Sequence, residues 1–369
     1  MSPRNIRTVF VSAIEQNMRL IRDSFPEDIR MMAVVKSDGY GHGAVRTSQA
    51  ALRGGADMLA VATVREGTEL RRNGITAPVL VLGAVTDEDA AEGVESGLIQ
   101  TVCSPEMVRW CERASMGLHK EAMVHLKVDT GMGRIGVRTA RERDSVLLEI
   151  GRCPHVRLCG AFTHFSDADG DNDGEQYTRS QFHRFLELTE PLPEGVLRHC
   201  CNSAAIHRFP EMALDMVRVG ISLYGYPPVK TSLGLKPCMK WSAQVSYVKD
   251  LDPGEYVSYG RTYLAESPVR VATVTCGYGD GYFRSAGGKA HVLINGRRVP
   301  VIGRICMDQM MADVTGLDVR AGDEVILLGT GGSESITAED IAGWAGTISY
   351  EVLLSSGSRV LRVFDEMIG

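Results

Sequence analysis

Between residues 30 and 225, short apolar runs alternate with polar stretches that are long enough to form amphipathic helices. Eight of the apolar runs have the length and composition of strands that are buried on both faces of a parallel sheet. These predicted strands lie at 30–36, 58–62, 78–83, 98–103, 122–129, 156–164, 196–202 and 217–224. Helices are predicted between them, for example at 64–73 and 175–190. An opening helix precedes them, with four apolar residues on one face, Ile14, Met18, Ile21 and Phe25. This α/β alternation predicts a (β/α)8 barrel, whose chemistry sits at the carboxyl ends of its strands.

The pattern changes after about Pro237, where shorter apolar runs are separated by Gly, Pro and Asp. Five of them read as strands, at 242–250, 269–276, 291–294, 299–305 and 324–329. The dipeptide Asn295-Gly296 between two of these runs is a strong signal for a two-residue hairpin turn. We therefore predict a barrel domain over residues 1–236 and a mostly β domain over residues 237–369.

Composition and charge describe an ordinary globular protein. Of the 369 residues, 44% are apolar and 23% are charged, and the net charge of -6 argues against nucleic acid or an anionic membrane as the main partner. No window has the apolar length of a membrane-spanning helix, and Glu15 and Arg19 interrupt the N-terminal segment where a signal peptide would need an apolar core. Nine cysteines do not form an obvious disulfide framework, so we expect a cytoplasmic protein.

Lys36 stands at the end of the first predicted barrel strand, directly before the glycine-rich run SDGYGHG. A buried ammonium group there is costly unless it is paired, deprotonated or condensed with a carbonyl. Desolvation of this kind activates lysines that form Schiff bases. The alternative interpretation is a lysine whose stem lies along the strand end and whose amine reaches solvent.

Further polar residues belong to the last four predicted barrel strands. Lys127 and Asp129 end the fifth strand and His164 ends the sixth, while Asn202 and Ser203 follow the seventh and Arg218 lies on the eighth beside Gly220. In such barrels the loops after strands seven and eight usually bind phosphate. We therefore predict a phosphate site formed by Ser203 and the backbone amides of Gly220 and Ile221. Ser203 is also a candidate N-cap for a helix that begins with two alanines.

The run TGMGRIG at 130–136 contains a G-x-G-x-x-G match, which is one feature of dinucleotide-binding proteins. The match lies in the fifth strand–helix unit, without a clear acidic residue at the end of the next strand, so we favour another role. Arg134 within it is interpreted as a ligand for a carboxylate or a phenolic oxygen. The acidic loop 167–175 lacks the Glu that ends a calcium loop, and the run HCC at 199–201 lacks zinc-ligand spacing, so no metal is predicted.

Four segments of the predicted β domain place a tyrosine or a methionine close to glycines or other polar residues: VSYGRTY at 257–263, GYGDGY at 277–282, GRICMDQ at 303–309 and ISYE at 348–351. Propensity alone explains most of the rings as half-buried strand residues. Together with Lys36, however, a tyrosine supplies the second proton-transfer group that a racemase needs on the opposite face of the substrate carbon.

The string KSDGYGHG resembles the cofactor-lysine signature of alanine racemases, which are pyridoxal-phosphate enzymes built on a barrel. The resemblance extends over about residues 31–362, through HLKVDTGMGRIGV, FTHFSDAD, NSAA, MVRVGISLYG and GRICMDQMM in the order typical of the family. It implies a (β/α)8 barrel followed by a β domain, and an enzyme that interconverts L- and D-alanine. Ser37 and Gly39 replace the usual alanines, and the tail SSGSRVLRVF lacks the usual proline, which leaves the preference for alanine over serine open.

The resemblance also implies the roles of the reactive residues. Lys36 holds the cofactor and serves as the base for the D-isomer, and Tyr259 serves as the base for the L-isomer. Arg218 hydrogen-bonds the pyridine nitrogen and His164 orients Arg218. Arg134 contacts the ring oxygen of the cofactor and the substrate carboxylate.

The resemblance implies further residues that contact the phosphate or the ring of the cofactor: Tyr40, Asn202, Ser203, Gly220, Ile221 and Tyr350. Tyr278 lines the entrance and Met307 offers its backbone amide to the substrate. Lys127 is either a carbamate that holds Arg134 or a lysine paired with Asp129 or solvent. The resemblance further implies a homodimer in which Lys36 of one chain faces Tyr259 of the other.

Two other classes of protein share parts of this pattern. A barrel-fold amino-acid decarboxylase would also have the cofactor lysine and the β domain, but should carry a glycine-rich phosphate loop and a catalytic cysteine. A non-catalytic cofactor-binding protein would have no reason to keep a large β domain. The sequence leaves open a racemase of another small amino acid, and whether the enzyme serves cell-wall synthesis or alanine catabolism.

Overall fold

The computed structural model describes residues 4–366, and the chain forms two compact units. One unit is the continuous stretch Ile14–Lys236. The other combines the start of the chain up to Ala13 with the stretch from Pro237 onward.

The continuous unit is a closed barrel of eight parallel strands, which confirms the predicted fold class. Strand β1 (Asn5–Phe10) precedes it and belongs to the other unit. The barrel strands are β2 (Arg30–Val34), β3 (Met58–Val61), β4 (Val79–Ala84), β5 (Ile99–Val102), β6 (Ala122–Lys127), β7 (Val156–Phe162), β8 (Leu197–His199) and β9 (Met216–Val219). Each overlaps one of the predicted apolar runs. The ring closes because β2 pairs with both β3 and β9.

Helices connect the barrel strands, and side-chain caps fix where several of them begin. They are α1 (Val11–Arg22), α2 (Lys36–Tyr40), α3 (Ala44–Arg53), α4 (Val64–Arg72), α5 (Asp87–Glu95), α6 (Pro105–Leu118), α7 (Ala140–Arg152), α8 (Asn172–Thr189) and α9 (Ser203–Arg208). A hydroxyl before α4, α5, α6 and α7 accepts the N–H of the third helical residue, as N-capping residues do. In α1, Ile14, Met18 and Ile21 are fully buried as predicted, whereas Phe25 lies beyond its end.

The second unit is built on a nine-stranded sheet. After β1 its elements are β10 (Met239–Leu251), β11 (Tyr256–Val257), β12 (Tyr263–Leu264), β13 (Val269–Val274), β14 (His291–Ile294), β15 (Arg297–Ile302), β16 (Met310–Asp313), β17 (Glu324–Gly331), β18 (Glu334–Ile336), α10 (Ala338–Ala345), α11 (Ser349–Leu354) and β19 (Leu361–Asp365). The strand order is β18-β17-β14-β15-β16-β13-β10-β1-β19, and β17 also pairs with β10. β11 and β12 form a separate two-stranded hairpin.

The predicted hairpin turn is confirmed. Ile294 pairs with Arg297, so Asn295 and Gly296 alone connect β14 and β15. Both have positive φ, 50° and 72°, which is the conformation that matches the twist of a two-residue hairpin.

The start of the chain differs from the predicted domain boundaries. β1 pairs with β10 in antiparallel fashion and with β19 in parallel fashion, so backbone hydrogen bonds tie it to the C-terminal part of the chain. The predicted barrel domain, which starts at residue 1, therefore includes a strand that the structure assigns to the other unit. Among residues 4–366, no helix combines the length and the apolar character that crossing a membrane requires.

Candidate active site

The chain leaves β2 at Lys36 through a left-handed turn. Residues 37–40 all have positive φ, between 52° and 61°. This conformation costs about 1 kcal/mol for each residue other than glycine, so contacts from elsewhere must hold it. The N–H of Ser37 donates to Glu66 Oε1 (2.7 Å), and Asp38 Oδ1 accepts the N–H that begins α3 (2.9 Å). The turn fixes the backbone on which Lys36 stands.

The Lys36 amine is half-buried and surrounded by positive charge. Burial lowers its pKa first, and the nearby Arg134 and Arg218 lower it further, while Glu66 acts in the opposite direction. A lowered pKa increases the fraction of the neutral amine, which is the nucleophilic form.

Arg218, on β9, is 3% exposed and is held by neutral acceptors. Its Nη1 donates to His199 Nδ1 (3.0 Å) and to the His199 carbonyl (3.1 Å). Its Nη2 donates to the carbonyls of Thr163 (2.8 Å) and Cys200 (2.9 Å), with a longer contact to His164 Nδ1 (3.4 Å). No carboxylate within residues 4–366 forms an ion pair with it, and burial lowers its pKa to about 10. The Nε–H makes no hydrogen bond within the same residues and remains as a donor.

His199 and His125 continue this network into the barrel. Because a guanidinium only donates, His199 Nδ1 must be an acceptor, and its proton lies on Nε2. That Nε2 lies 3.1 Å from His125 Nδ1, so His199 donates to His125. Burial and Arg218 lower the pKa of His125 to about 3 and that of His199 well below its usual range. A Cβ at Gly160 would lie 2.5 Å from the His125 ring, so glycine is needed beside it.

Lys127, the last residue of β6, is a buried lysine with a single hydrogen bond in the described part of the chain, from Nζ to the Val128 carbonyl (2.6 Å). Its Nζ lies 5.3 Å from the centroid of the Phe162 ring, which the Arg218 guanidinium also approaches (5.6 Å). Burial lowers the Lys127 pKa to about 7, with a further contribution from Arg218 that Asp129 partly offsets. A large fraction of this amine is therefore neutral at pH 7.

Arg134 lies in the loop after β6 and is exposed. Asp129 Oδ1 accepts the N–H groups of Gly131 and Gly133, both at 3.0 Å, and so fixes the turn on which the arginine stands. Because α7 begins only at Ala140, the G-x-G-x-x-G run does not lead directly into a helix, as a dinucleotide-binding turn would.

His164 shows how much positive charge collects at this end of the barrel. Burial lowers its pKa well below the usual range, and Arg218, Arg134, Lys127 and Lys36 all lower it further. Four basic side chains thus act on one neutral imidazole. Such a site favours a ligand that brings several negative or electron-rich atoms.

The predicted phosphate site lies between α9 and a short 3-10 turn over Ile221–Tyr224. Asn202, not Ser203, is the N-cap of α9, because its Oδ1 accepts the N–H of Ala205 (3.1 Å). The suggestion that Ser203 is the N-cap is therefore wrong. As the first helical residue, Ser203 is free to use its hydroxyl elsewhere.

The Ser203 hydroxyl accepts the Gly220 N–H at 2.9 Å. A Cβ at residue 220 would lie 3.2 Å from Ser203 Oγ and 3.4 Å from the Tyr40 hydroxyl, so glycine leaves room between these two groups. The N–H of Ile221 makes no hydrogen bond within the described residues. Two hydroxyls and a backbone amide therefore surround a space of the kind that a phosphate fills.

In the other unit, Tyr259 lies at the tip of the β11–β12 hairpin and is 68% exposed. Ser258 beside it donates its hydroxyl proton to the Arg304 carbonyl (2.6 Å), which ties the tip to the loop 304–307. Tyr278 and the residue after it donate their N–H groups to carbonyls of the same loop (3.0 and 2.8 Å). The structure thus brings Tyr259, Tyr278 and Met307 to a common loop, where Tyr278 and Met307 are 39% and 53% exposed.

Two arginines support the segments that carry Tyr350, Tyr278 and Met307. The Arg7 guanidinium is buried 4.1 Å from the centroid of the Trp241 ring and donates to the Leu353 and Ser355 carbonyls at the end of α11, the helix that carries Tyr350. Arg359 binds both Asp280, in the turn of Tyr278 (3.2 Å), and Asp308, next to Met307.

Several of these residues were not singled out from the sequence for the roles they have here. His125 and His199 hydrogen-bond to side chains, whereas Glu66 and Arg7 hydrogen-bond to backbone groups of Ser37 and Leu353. The partners lie 19 to 346 positions away, and a contact between distant elements leaves no local pattern. For His199 a signal exists, since it ends barrel strand β8 four residues before α9 begins, but the sequence analysis treats it only as a candidate metal ligand.

Known proteins resemble this chain along nearly its whole length. The family model for the N-terminal domain of alanine racemase matches residues 9–228, and the model for the C-terminal domain matches residues 238–364. An alanine racemase of Symbiobacterium thermophilum is 44% identical over 364 residues, which cover 96% of each chain.

Solved structures show the same fold. The alanine racemase of Bacillus anthracis with bound L-Ala-P superimposes with a TM-score of 0.92 at 36% identity, covering 99% of this chain and 96% of that one. A histidine racemase of Leuconostoc mesenteroides reaches 0.90 at 27% identity, covering 98% of both chains. With both family models matched and 44% identity along nearly its whole length, this chain belongs to the alanine racemase family, whose members are pyridoxal-phosphate-dependent isomerases.

Proposed function

We propose that this chain interconverts L- and D-alanine with Lys36 and Tyr259 as its two bases. Family membership and the full-length similarity to curated alanine racemases support the activity. The main structural support for Lys36 as the reactive lysine is the environment of its amine. Its amine has a lowered pKa, stands at the carboxyl end of a barrel strand and is surrounded by groups suited to an anionic cofactor.

The residues of the barrel unit fit pyridoxal phosphate. Ser203, Tyr40 and the Ile221 amide would hold the phosphate, in the space that Gly220 leaves open, and Asn202 caps the helix that carries Ser203. Tyr350 of the other unit is proposed as a further phosphate ligand. The remaining Nε–H of Arg218 would donate to the pyridine nitrogen, with His164 beside it, and Arg134 would bind the phenolic oxygen and the substrate carboxylate. When bound, the cofactor supplies a carbonyl for the amino group and a conjugated ring that accepts the electron pair left after proton removal.

The two bases act on opposite faces of the substrate carbon. The Lys36 amine takes the α-proton of D-alanine, and the Tyr259 phenol group returns a proton to the other face, so that L-alanine leaves. In the reverse direction Tyr259 acts as the base. The permanent charge of Arg218 disfavours a proton on the ring nitrogen, which discourages side reactions such as transamination. Tyr278 lines the entrance, and the Met307 amide, which makes no hydrogen bond in the described part of the chain, binds the substrate.

The first test removes the cofactor lysine. Lys36→Ala should lose nearly all racemisation of L-alanine and the visible absorbance of the bound cofactor, because no amine remains to bind it covalently. Borohydride reduction of the wild type followed by peptide mass mapping should find the cofactor on Lys36. Lys249→Ala, which changes an exposed lysine, is the control. A Lys36→Ala enzyme that kept absorbance and activity would refute the assignment.

The second test separates the two bases. Tyr259→Phe should slow racemisation by about 10²- to 10⁴-fold, as the loss of a general base does, and should leave cofactor absorbance unchanged. Exchange of the α-hydrogen in deuterated water should be reduced far more with L-alanine than with D-alanine. Tyr256→Phe changes another exposed ring in the same hairpin and should behave like the wild type. Equal losses of exchange with the two isomers would count against Tyr259.

The third test concerns Lys127, which we propose as a carbamate that holds Arg134. Its neutral amine can add carbon dioxide and release a proton, which turns a buried cation into an anion beside arginines. With ¹³C-labelled bicarbonate, a carbamate resonance should grow between pH 6 and pH 8, because the neutral fraction increases as the pH passes the Lys127 pKa of about 7. The signal should be absent in Lys127→Met and present in the exposed-lysine control Lys120→Met. If wild type and Lys127→Met give the same spectrum, Lys127 is an unmodified lysine.

The fourth test concerns the homodimer, in which we propose that Lys36 of one chain and Tyr259 of the partner subunit share a site. The exposed side chains of Tyr259, Tyr278 and Met307 at their common loop support this, because a folded unit seldom leaves such a group uncovered. Lys36→Ala and Tyr259→Phe chains, each inactive, should regain activity when co-expressed, since each heterodimer then contains one intact site. Random pairing should restore about a quarter of the wild-type activity. Exchanged subunits without activity would show that each site is formed within one chain.

The nine cysteines are free, and we propose the reducing cytoplasm as the compartment. Because a histidine racemase shares this fold, the fold by itself does not determine the substrate. Assays with a panel of small L-amino acids, serine included, determine how strictly alanine is preferred.

A further inference from the structure

A hydrogen bond behind the phosphate site has no part in the function described above. His207 Nε2 lies 3.0 Å from Ser222 Oγ. His207 is half-buried on α9, and Ser222 is fully buried on the 3-10 turn Ile221–Tyr224. These are the two elements that carry Ser203 and Ile221, so the bond joins both sides of the site.

Ser222 also contacts Ser203 directly. The Ser203 hydroxyl oxygen accepts the N–H of Gly220 (2.9 Å) and the N–H of Ser222 (3.3 Å). A hydroxyl has two lone pairs and one proton. With both lone pairs in use, the proton must point away from the 3-10 turn, and it has no acceptor within the described residues. It is therefore left for a ligand.

The longer of these two bonds is the one that His207 supports. The Ser222 N–H reaches Ser203 only while the first residues of the 3-10 turn keep their distance from α9. The His207–Ser222 bond fixes that distance through the side chain of Ser222. Because burial lowers the pKa of His207, its ring is neutral at pH 7 and makes this bond as an ordinary imidazole.

We propose that His207 and Ser222 are positioning residues that hold the Ser203 hydroxyl proton toward the phosphate of the cofactor. This inference rests on the proposed role of Ser203 as a phosphate ligand. Neither His207 nor the Ser222 side chain touches the phosphate, and both act through the Ser222 N–H on Ser203.

The test is a double-mutant cycle on the affinity of the apoenzyme for pyridoxal phosphate, measured by absorbance titration. In His207→Asn the side-chain amide no longer reaches the position of Nε2, whereas in His207→Gln it does. His207→Asn and Ser222→Ala should each raise the Kd about threefold to tenfold, the range expected for one lost hydrogen bond. The double variant should be no weaker than the weaker single variant. His207→Gln should bind like the wild type, as should His183→Asn, which changes an exposed histidine.

The ³¹P resonance of the cofactor bound to each folded variant gives a second readout. This resonance should shift in His207→Asn and Ser222→Ala but not in His207→Gln. Equal affinities of the Asn and Gln variants, or losses that multiply in the double variant, would overturn the proposal. Ser203→Ala distinguishes a failure of this inference from a failure of the proposed phosphate site. If it weakens binding while the His207 and Ser222 variants do not, only this inference fails. If Ser203→Ala binds normally, the proposed phosphate site itself fails.

Discussion

The guanidinium of Arg218 is the group on which the rest of the barrel site depends. A buried cation is stable only if its donors are satisfied, and here His199, Thr163 and Cys200 satisfy them with neutral atoms. Within residues 4–366, no carboxylate cancels its positive charge. Burial first, and this positive charge second, lower the pKa values of His125, His199, His164 and Lys127 below their usual ranges. A cofactor with a phosphate, a phenolic oxygen and a ring nitrogen supplies the electron-rich atoms that the site lacks.

A second constraint acts on the lysine itself. The left-handed turn at residues 37–40 is strained, and Glu66 and Asp38 hold it through backbone N–H groups. A strained backbone persists only where the surrounding structure holds it in place. Here the strained turn directs the chain away from β2 at the mouth of the barrel. The same Glu66 raises the pKa of Lys36, which burial and two arginines lower. Glu66 therefore connects the shape of the turn with the charge of the amine.

The Asn295-Gly296 dipeptide was sufficient to predict its hairpin turn, and hydrophobic periodicity was sufficient to predict the eight barrel strands, because both features depend on residues close together in sequence. Periodicity could not assign β1, whose partners β10 and β19 lie more than 200 residues away. The positions of Lys36, His164 and Ser203 followed from strand ends, and that of Arg218 followed from its place on the last predicted barrel strand. The His125–His199 pair, the Arg7 support of α11 and the His207–Ser222 bond did not, because each joins distant elements. The prediction of Ser203 as an N-cap is wrong because Asn202 beside it takes that role.

The central claim is that Arg218 donates a hydrogen bond to the cofactor ring and gives it no proton. ¹⁵N NMR of the holoenzyme, reconstituted with pyridoxal phosphate that is labelled at the ring nitrogen, tests this directly. The account predicts the chemical shift of an unprotonated, hydrogen-bonded pyridine nitrogen that stays constant between pH 6 and pH 9, and a change toward the protonated form in Arg218→Glu. A wild-type resonance at the pyridinium position, or one that Arg218→Glu leaves unchanged, would contradict it.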